Sequence, residues 1–239
     1  MTTLPAAEPG ALTLVRGGIV VAGAELAVHR AADVWVRGST IEAITPTGEK
    51  PVPPGCRVIE AGNHIVMPGL IDTHRHLWQT PLRGLGADLT APEYRHGLRE
   101  VVARHYQPAD VYAATLAGAL EALDCGITTM LDWAHIMNSP EHADASVAAL
   151  RASGMRAVFG HSAPNDAEAA SWWSNSARPH PADVRRVRTR LLPDDDALVT
   201  MAFAARAPHL VQPLVMRHDW MLARELGLRI VVDGGIVLH

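Results

Sequence analysis

Lysine is almost missing from these 239 residues: Lys50 is the single one, and every other basic side chain is arginine. Cysteine is nearly as scarce. Cys56 and Cys125 stand far apart and in no paired motif, which excludes a disulfide scaffold and a cysteine zinc site. No run of about 18 apolar residues occurs, so no helix of this sequence is expected to span a bilayer. The stretch Met1–Gly10 has neither a basic region nor an apolar run and does not read as a signal peptide, so the expected compartment is cytoplasmic. Charge of either sign is modest. Lys plus Arg number 21 and Asp plus Glu 25, a formal net charge of −4, which supplies no field for nucleic acid or for an anionic membrane. What is plentiful is apolar side chains, 48% of the total, enough for a sizeable core in one large domain or two small ones. Histidine is plentiful too, with 13, several of them where strands should end.

Residues 1–67 read as a small antiparallel β module. Ala11–Arg16 and Ile19–Ala22 flank Gly17-Gly18, a dipeptide suited to a two-residue hairpin, and Asp33–Arg37 and Thr40–Thr45 flank Gly38-Ser39. A loop rich in Pro and Gly, Pro46 to Gly55, precedes two further strands, Arg57–Glu60 and His64–Met67. After Pro68 the rhythm becomes strand, then helix, repeated. Gly69–Thr73 is continuously apolar, as a strand buried on both faces should be, and an irregular excursion follows from Trp78 to about Gln107. Pro108 opens a helix to Asp124, and Ile127–Trp133, Pro140–Ser153, Arg156–Gly160, Ala182–Leu192, Leu198–Ala204, Pro213–Leu226 and Leu228–Asp233 continue the alternation. This order predicts an α/β fold with a parallel sheet. Five strands and four helices make residues 68–239 an incomplete (β/α)8 barrel, and a truncated chain is the expectation.

The sharpest motif is Pro68-Gly-Leu-Ile-Asp-Thr-His-Arg-His76. Strand side chains alternate with period two, so His74 and His76 point to one face, at the carboxyl end of the first parallel strand. Barrels keep their active sites at that end, and two imidazoles so placed can chelate one metal ion; two solvent-facing loop histidines are the plain alternative.

This motif resembles the first metal-binding strand of the amidohydrolase superfamily. The stretches His76-Leu-Trp-Gln-Thr-Pro-Leu-Arg-Gly84 and Gly126-Ile-Thr-Thr-Met-Leu-Asp-Trp-Ala-His135 resemble its deaminase and chlorohydrolase branch, whose members act on ring amidines such as cytosine, guanine, adenosine derivatives and s-triazines. The resemblance implies a (β/α)8 barrel with a small β-sandwich and one divalent metal, zinc in the first instance and otherwise iron. It also implies metal-assisted hydrolysis of a C–N bond in a small nitrogen heterocycle, since such a metal acidifies its water. His74 and His76 match the first two ligands. Asp233 falls where the family carries a third His, and Asp is also a zinc ligand. Strands six and eight, with their His and Asp, have no counterpart, and no catalytic acid or base is assigned. A carboxylated lysine bridging two metals is excluded, because Lys50 precedes the barrel.

Further candidates line the same mouth. Gln79 belongs to the second matching stretch. Asp132, Trp133 and His135 end the second barrel strand, either in a substrate pocket or as strand-end caps. His161 ends the third strand, His209 follows the fourth, and both are weighed as site-lining residues against ordinary loop histidines; His239 is terminal. Trp172-Trp173, in the loop after the third strand, suits either a planar ring or rim packing. Arg185, Arg186, Arg188 and Arg190 read as a solvated helix face rather than a nucleic-acid patch. The rival readings are a catalytically incomplete fragment, inert or serving in oligomerisation, and a metal-independent binding module. Open barrel edges predict self-association or a homo-oligomer.

Overall fold

The glycine pair that reads as a hairpin turn lies inside a strand. In the computed structural model, which describes residues 10–233, β1 runs unbroken from Leu12 to Ala22, and its register with β2 (Ala27–Arg37) shifts on either side of Gly18. Gly17 takes φ +75°, and a Cβ on Gly18 would stand 2.8 Å from Val66 Cγ2, so the pair makes a bulge that only glycine fits. The Asp33 carboxylate braces it, accepting the N–H of Gly17 at 2.9 Å and of Gly48 at 3.0 Å. The turn between β1 and β2 falls instead over residues 23–26.

The chain divides into two compact units, Met1–Pro68 and Gly69–His239. In the first, β3 (Thr40–Pro46) pairs antiparallel with β2 across the expected turn, Arg37 opposite Thr40. The sheet is not purely antiparallel, however. β4 (Arg57–Glu60) and β5 (Ile65–Val66) both lie parallel to β1, because the Pro- and Gly-rich connection carries the chain back before β4 and the chain then runs on in the same direction into β5. Val20, Ala32 and Val34 form the buried centre of this unit.

The second unit is a curled parallel sheet in the order β10-β9-β8-β7-β6, an α/β half barrel. Its strands are β6 (Leu70–Arg75), β7 (Ile127–Ala134), β8 (Arg156–His161), β9 (Val199–Ala205) and β10 (Arg229–Val232), each hydrogen-bonded to the next in sequence. The helices are α1 (Ala91–Tyr94), α2 (Pro108–Asp124), α3 (Pro140–Ser153), α4 (Ala169–Trp173), α5 (Asp183–Arg186) and α6 (Pro213–Glu225). Pro starts α2, α3 and α6 at its tolerated first positions, and Gly154 closes α3 at φ +71°, a left-handed cap. Strand parity divides the interior. Met130, Phe159, Met201 and Phe203 pack with helix residues such as Val111, Val147 and Leu150, whereas Trp133 and Ala204 join Trp173 in a separate cluster.

Four expectations need correction. β6 is not buried on both faces: it has an outer place in the described sheet, and Leu70 and Ile71 are 53% and 67% exposed. The segment after it is not irregular but a chain of helical turns, Leu77–Leu82, α1, the wide π-type Arg95–Val102 and Ala103–His105. Trp172 and Trp173 likewise stand on α4 rather than in a loop. Nor are Arg185, Arg186 and Arg188 merely solvated, although Arg190 is exposed as expected. Arg186 pairs with Asp183 and Asp144, Arg185 with Glu225, and Arg188 with Asp195 and the Leu192 and Leu226 carbonyls. Among the described residues no helix is long and apolar enough to cross a membrane. His239 lies outside the described residues.

Candidate metal centre

The end of β6 is shaped by its own aspartate. One Asp72 oxygen accepts the His74 N–H at 3.1 Å and the other pairs with Arg75 Nε at 3.2 Å, where the register with β7 is irregular. His76, one residue past the strand, donates from Nδ1 to the Trp133 carbonyl at 2.7 Å. That bond assigns the proton to Nδ1 and leaves the Nε2 lone pair free. Burial pulls the His76 pKa down to about 4, so the ring is neutral, the form a metal needs. The next residue is anchored as well: Leu77 N–H donates to Asp132 Oδ1 at 3.1 Å. Asp132 is wholly buried, its other oxygen unpartnered, and burial raises its pKa to about 7.

Asp233, just beyond β10, completes a cluster. Its Oδ2 stands 3.8 Å from His74 Nε2 and 4.0 Å from His76 Nε2, and one donor atom from each residue lies within 4.8 Å of the others. These separations exceed a hydrogen bond. Donors held at 2.0–2.2 Å around one tetrahedral ion sit about 3.4 Å apart, so a small inward adjustment would let all three share a cation. Two neutral imidazoles and one carboxylate form a known catalytic zinc set that leaves a position open. The donor chemistry and the tautomer of His76 therefore fit a divalent metal.

Aromatic residues wall this cluster. The Trp133 ring lies 5.9 Å from that of His76, and the His135 ring 4.1 Å from it. His135 is fully buried. Its Nδ1 accepts from Trp78 Nε1 at 3.0 Å and from Asn165 Nδ2 at 3.2 Å, so Nε2 carries the proton. Asn165 also donates to the His135 carbonyl. Trp173 follows, 6.0 Å from His135 and 6.2 Å from Trp133 between ring centres.

The other candidates stand elsewhere. Gln79 donates to the Tyr94 hydroxyl at 2.7 Å, half-buried in the turn after His76. His161 shares the parity of Phe159, on the helix-facing side of β8, and meets His180 at 3.0 Å instead of the cluster. His209 is exposed on the turn Pro208–Leu210. Sequence reasoning missed Arg99, Asn165 and His180. Arg99 falls in the segment read as irregular, where no period places a side chain; its position four residues before Ala103, the buried residue of the next turn, is the one available hint of helical spacing.

The fold agrees with comparisons to known proteins. The model of the amidohydrolase family matches residues 65–234. A 5-methylthioadenosine/S-adenosylhomocysteine deaminase of Symbiobacterium thermophilum is 29% identical over 231 residues, covering 91% of this chain and 48% of that enzyme. A 5'-deoxyadenosine deaminase of Methanosarcina barkeri is 34% identical over 118 residues, 49% of this chain and 26% of that one. Among solved structures, an adenosine deaminase from Xanthomonas campestris with bound zinc superposes at a TM-score of 0.74 and 24% identity, covering 95% of this chain and 49% of that one. A zinc complex of atrazine chlorohydrolase from Arthrobacter aurescens gives 0.73 at 19%, covering 92% and 52%, a likeness of fold. The chain spans about half the length of these proteins, or less. With most of its length matched by the family model, the chain belongs to the amidohydrolase family.

Proposed function

We propose that this chain is the amino-terminal, metal-holding part of a hydrolase that cleaves a C–N bond in a small nitrogen heterocycle. His74, His76 and Asp233 would hold one divalent cation, with zinc the first choice and iron the second. The observation that carries this reading is the convergence of those three donors at the carboxyl end of a parallel sheet. A bound divalent ion supplies Lewis-acid activation of water at neutral pH. Around it the chain's own groups would do the positioning. The Trp133 carbonyl holds the His76 ring by its Nδ1–H, and Asp132 holds the backbone of Leu77 behind it. His135 would offer its Nε2–H, and Trp133 and Trp173 an apolar wall, to a planar ring. Adenosine-type rings are the favoured substrate class, since the relatives above carry the names of deaminases of such nucleosides. The compartment in this reading is the cytoplasm.

A second reading rests on the outer places of β6 and β10 in the described sheet: a chain that binds metal yet does not turn over, and associates through those strands. One set of measurements separates them. Metal content after dialysis should reach one ion per chain and vanish in His74→Ala. Ammonia release from adenosine, 5'-deoxyadenosine, cytosine, guanine and triazine substrates, with sedimentation of the same sample, then decides between turnover and inert association. A chain that retains no divalent metal overturns both.

A further inference from the structure

Arg99 is a partly buried cation that the charges of Asp233 and Glu100 reach, but that no counter-ion touches among the described residues. It sits in the wide helical turn Arg95–Val102, with its guanidinium carbon 4.1 Å from the centre of the Trp173 ring. Nη2 donates to Asn165 Oδ1 at 3.3 Å, Nε is buried and has no partner, and among the described residues Arg99 joins no ion pair within 4.0 Å. Burial lowers its pKa to about 10, so it stays charged at neutral pH. A fully buried arginine shows how this fold treats one that serves structure alone. Both terminal nitrogens of Arg206 are used, on Asp219 Oδ2 at 3.0 Å, Ser176 Oγ at 3.0 Å, and the Trp172 and Arg178 carbonyls at 3.1 and 2.6 Å. Its Nε alone is left over, as in Arg99. Leaving a desolvated guanidinium so poorly matched is costly unless a ligand supplies the missing acceptors.

We infer that Arg99, with Asn165 beneath it and Trp173 across one face, is a subsite for a carboxylate group carried by the substrate. Trp173 covers a face of the guanidinium, so a partner approaches its edge, and the edge of a guanidinium matches a planar carboxylate through two parallel N–H donors. The subsite adjoins the metal-binding cluster: Asn165 bonds both Arg99 and His135, and the His135 ring stacks 4.1 Å from His76. A planar ring bearing an acidic substituent would reach from one to the other. This deepens the hydrolase reading and rests on it for the role of the ring, whereas anion binding itself requires no metal.

The test is calorimetric titration of the full chain, as purified and after chelation, with benzoate and with its neutral isostere benzamide. Benzoate should bind at least about tenfold more tightly, as expected for losing a charge-assisted pair. Arg99→Gln should erase that preference and Arg99→Lys, which keeps the charge without the fork, should reduce it. The preference should survive in His74→Ala and after chelation. Its persistence in a chain that holds no metal would separate this inference from the hydrolase reading. Equal affinities for the two probes in the unaltered chain would overturn it, even if Arg99→Gln fails to give a cooperative melt. So would benzoate binding that disappears with His74 or on chelation, or inorganic phosphate that displaces benzoate at lower concentration than benzoate itself requires.

Discussion

Two histidine clusters stand at the carboxyl end of the same sheet, and they are built to opposite plans. Behind β8, on the helix side, His161 Nδ1 and His180 Nε2 bond each other at 3.0 Å, and His180 N–H donates to Asp219, which pairs with Arg206 at 3.0 Å. These groups bond one another in a chain, leaving His161 Nε2, His180 Nδ1 and Arg206 Nε buried without a partner. In front, His74, His76 and Asp233 keep their donor atoms 3.8–4.0 Å apart across the carboxylate, too far to bond and close enough to share an ion. The same residue types thus give a closed structural knot on one side and an open chelate on the other. What separates them is strand parity and where each ring's proton is held, not composition.

The largest effect expected from breaking this contrast is on metal content. Removing His76 takes away a ligand and the bond to the Trp133 carbonyl together, so His76→Ala should hold no metal after dialysis against a weak chelator. His180→Ala should retain it at the unaltered level, measured by elemental analysis. Metal loss from both variants would mean that the rear knot supports the front cluster directly.

The next effect is on stability. Asp219 is buried and serves three groups, the Arg206 guanidinium, the His180 N–H and the His218 ring. Asp219→Ala leaves a buried cation unpaired and should cost about 3–5 kcal/mol. Removing Glu60, which pairs with the exposed Arg16, should cost far less, because solvent screens that pair. Urea unfolding of the two variants checks the difference, and similar midpoints would show that the knot is not the closed structure described here.

The pH dependence sharpens the comparison further. Burial holds the His161 pKa near 4, below the usual 6.5. In the window between those values the unfolded chain binds the proton and the folded chain does not, so stability is full above about pH 6.5 and falls as pH drops toward 4. At about 1.4 kcal/mol per pH unit this one group accounts for about 3 kcal/mol. His161→Gln should flatten the acid limb of a plot of melting stability against pH by an amount of that order. An unchanged limb would place the acid sensitivity elsewhere, and the buried His180, whose pKa is also pushed down by burial, would be next to substitute.

Much of this architecture is legible from local chemistry. Ser139-Pro140 and Gly154 bound α3, the Arg57–Glu60 strand needs no adjustment, and period two puts His74 and His76 on one side. What escapes is set by contacts distant in sequence. Gly17-Gly18 is a bulge because Val66 and Ala61 crowd Gly18, which no window around residue 18 reveals. β6 reads as a buried strand from Leu70 and Ile71, but Asp72 and Thr73 break that run, and the strand lies at the edge of the described sheet. His161 turns away from the cluster by parity alone, an error of one residue in register being enough to exchange faces. Arg99 and Asn165 are invisible because their meaning lies in each other and in Trp173, brought together from three separate segments.

The smallest effect concerns His135, which lies beside the open cluster yet is wired like a member of the closed one. Two donors converge on its Nδ1, Trp78 Nε1 at 3.0 Å and Asn165 Nδ2 at 3.2 Å, and either alone suffices to hold the Nε2–H tautomer. Trp78→Phe removes one donor while keeping most of the ring that packs on Tyr106. It should cost about 1 kcal/mol, the net worth of one such bond, and leave metal content unchanged. Asn165→Ala removes more, because the Asn165 side chain also bonds the His135 carbonyl and Arg99. The double variant should exceed the sum of the two single losses, because only then is Nδ1 buried without a donor and the tautomer released. Thermal melts of the three variants measure this, and strict additivity would show that the two donors act on His135 independently.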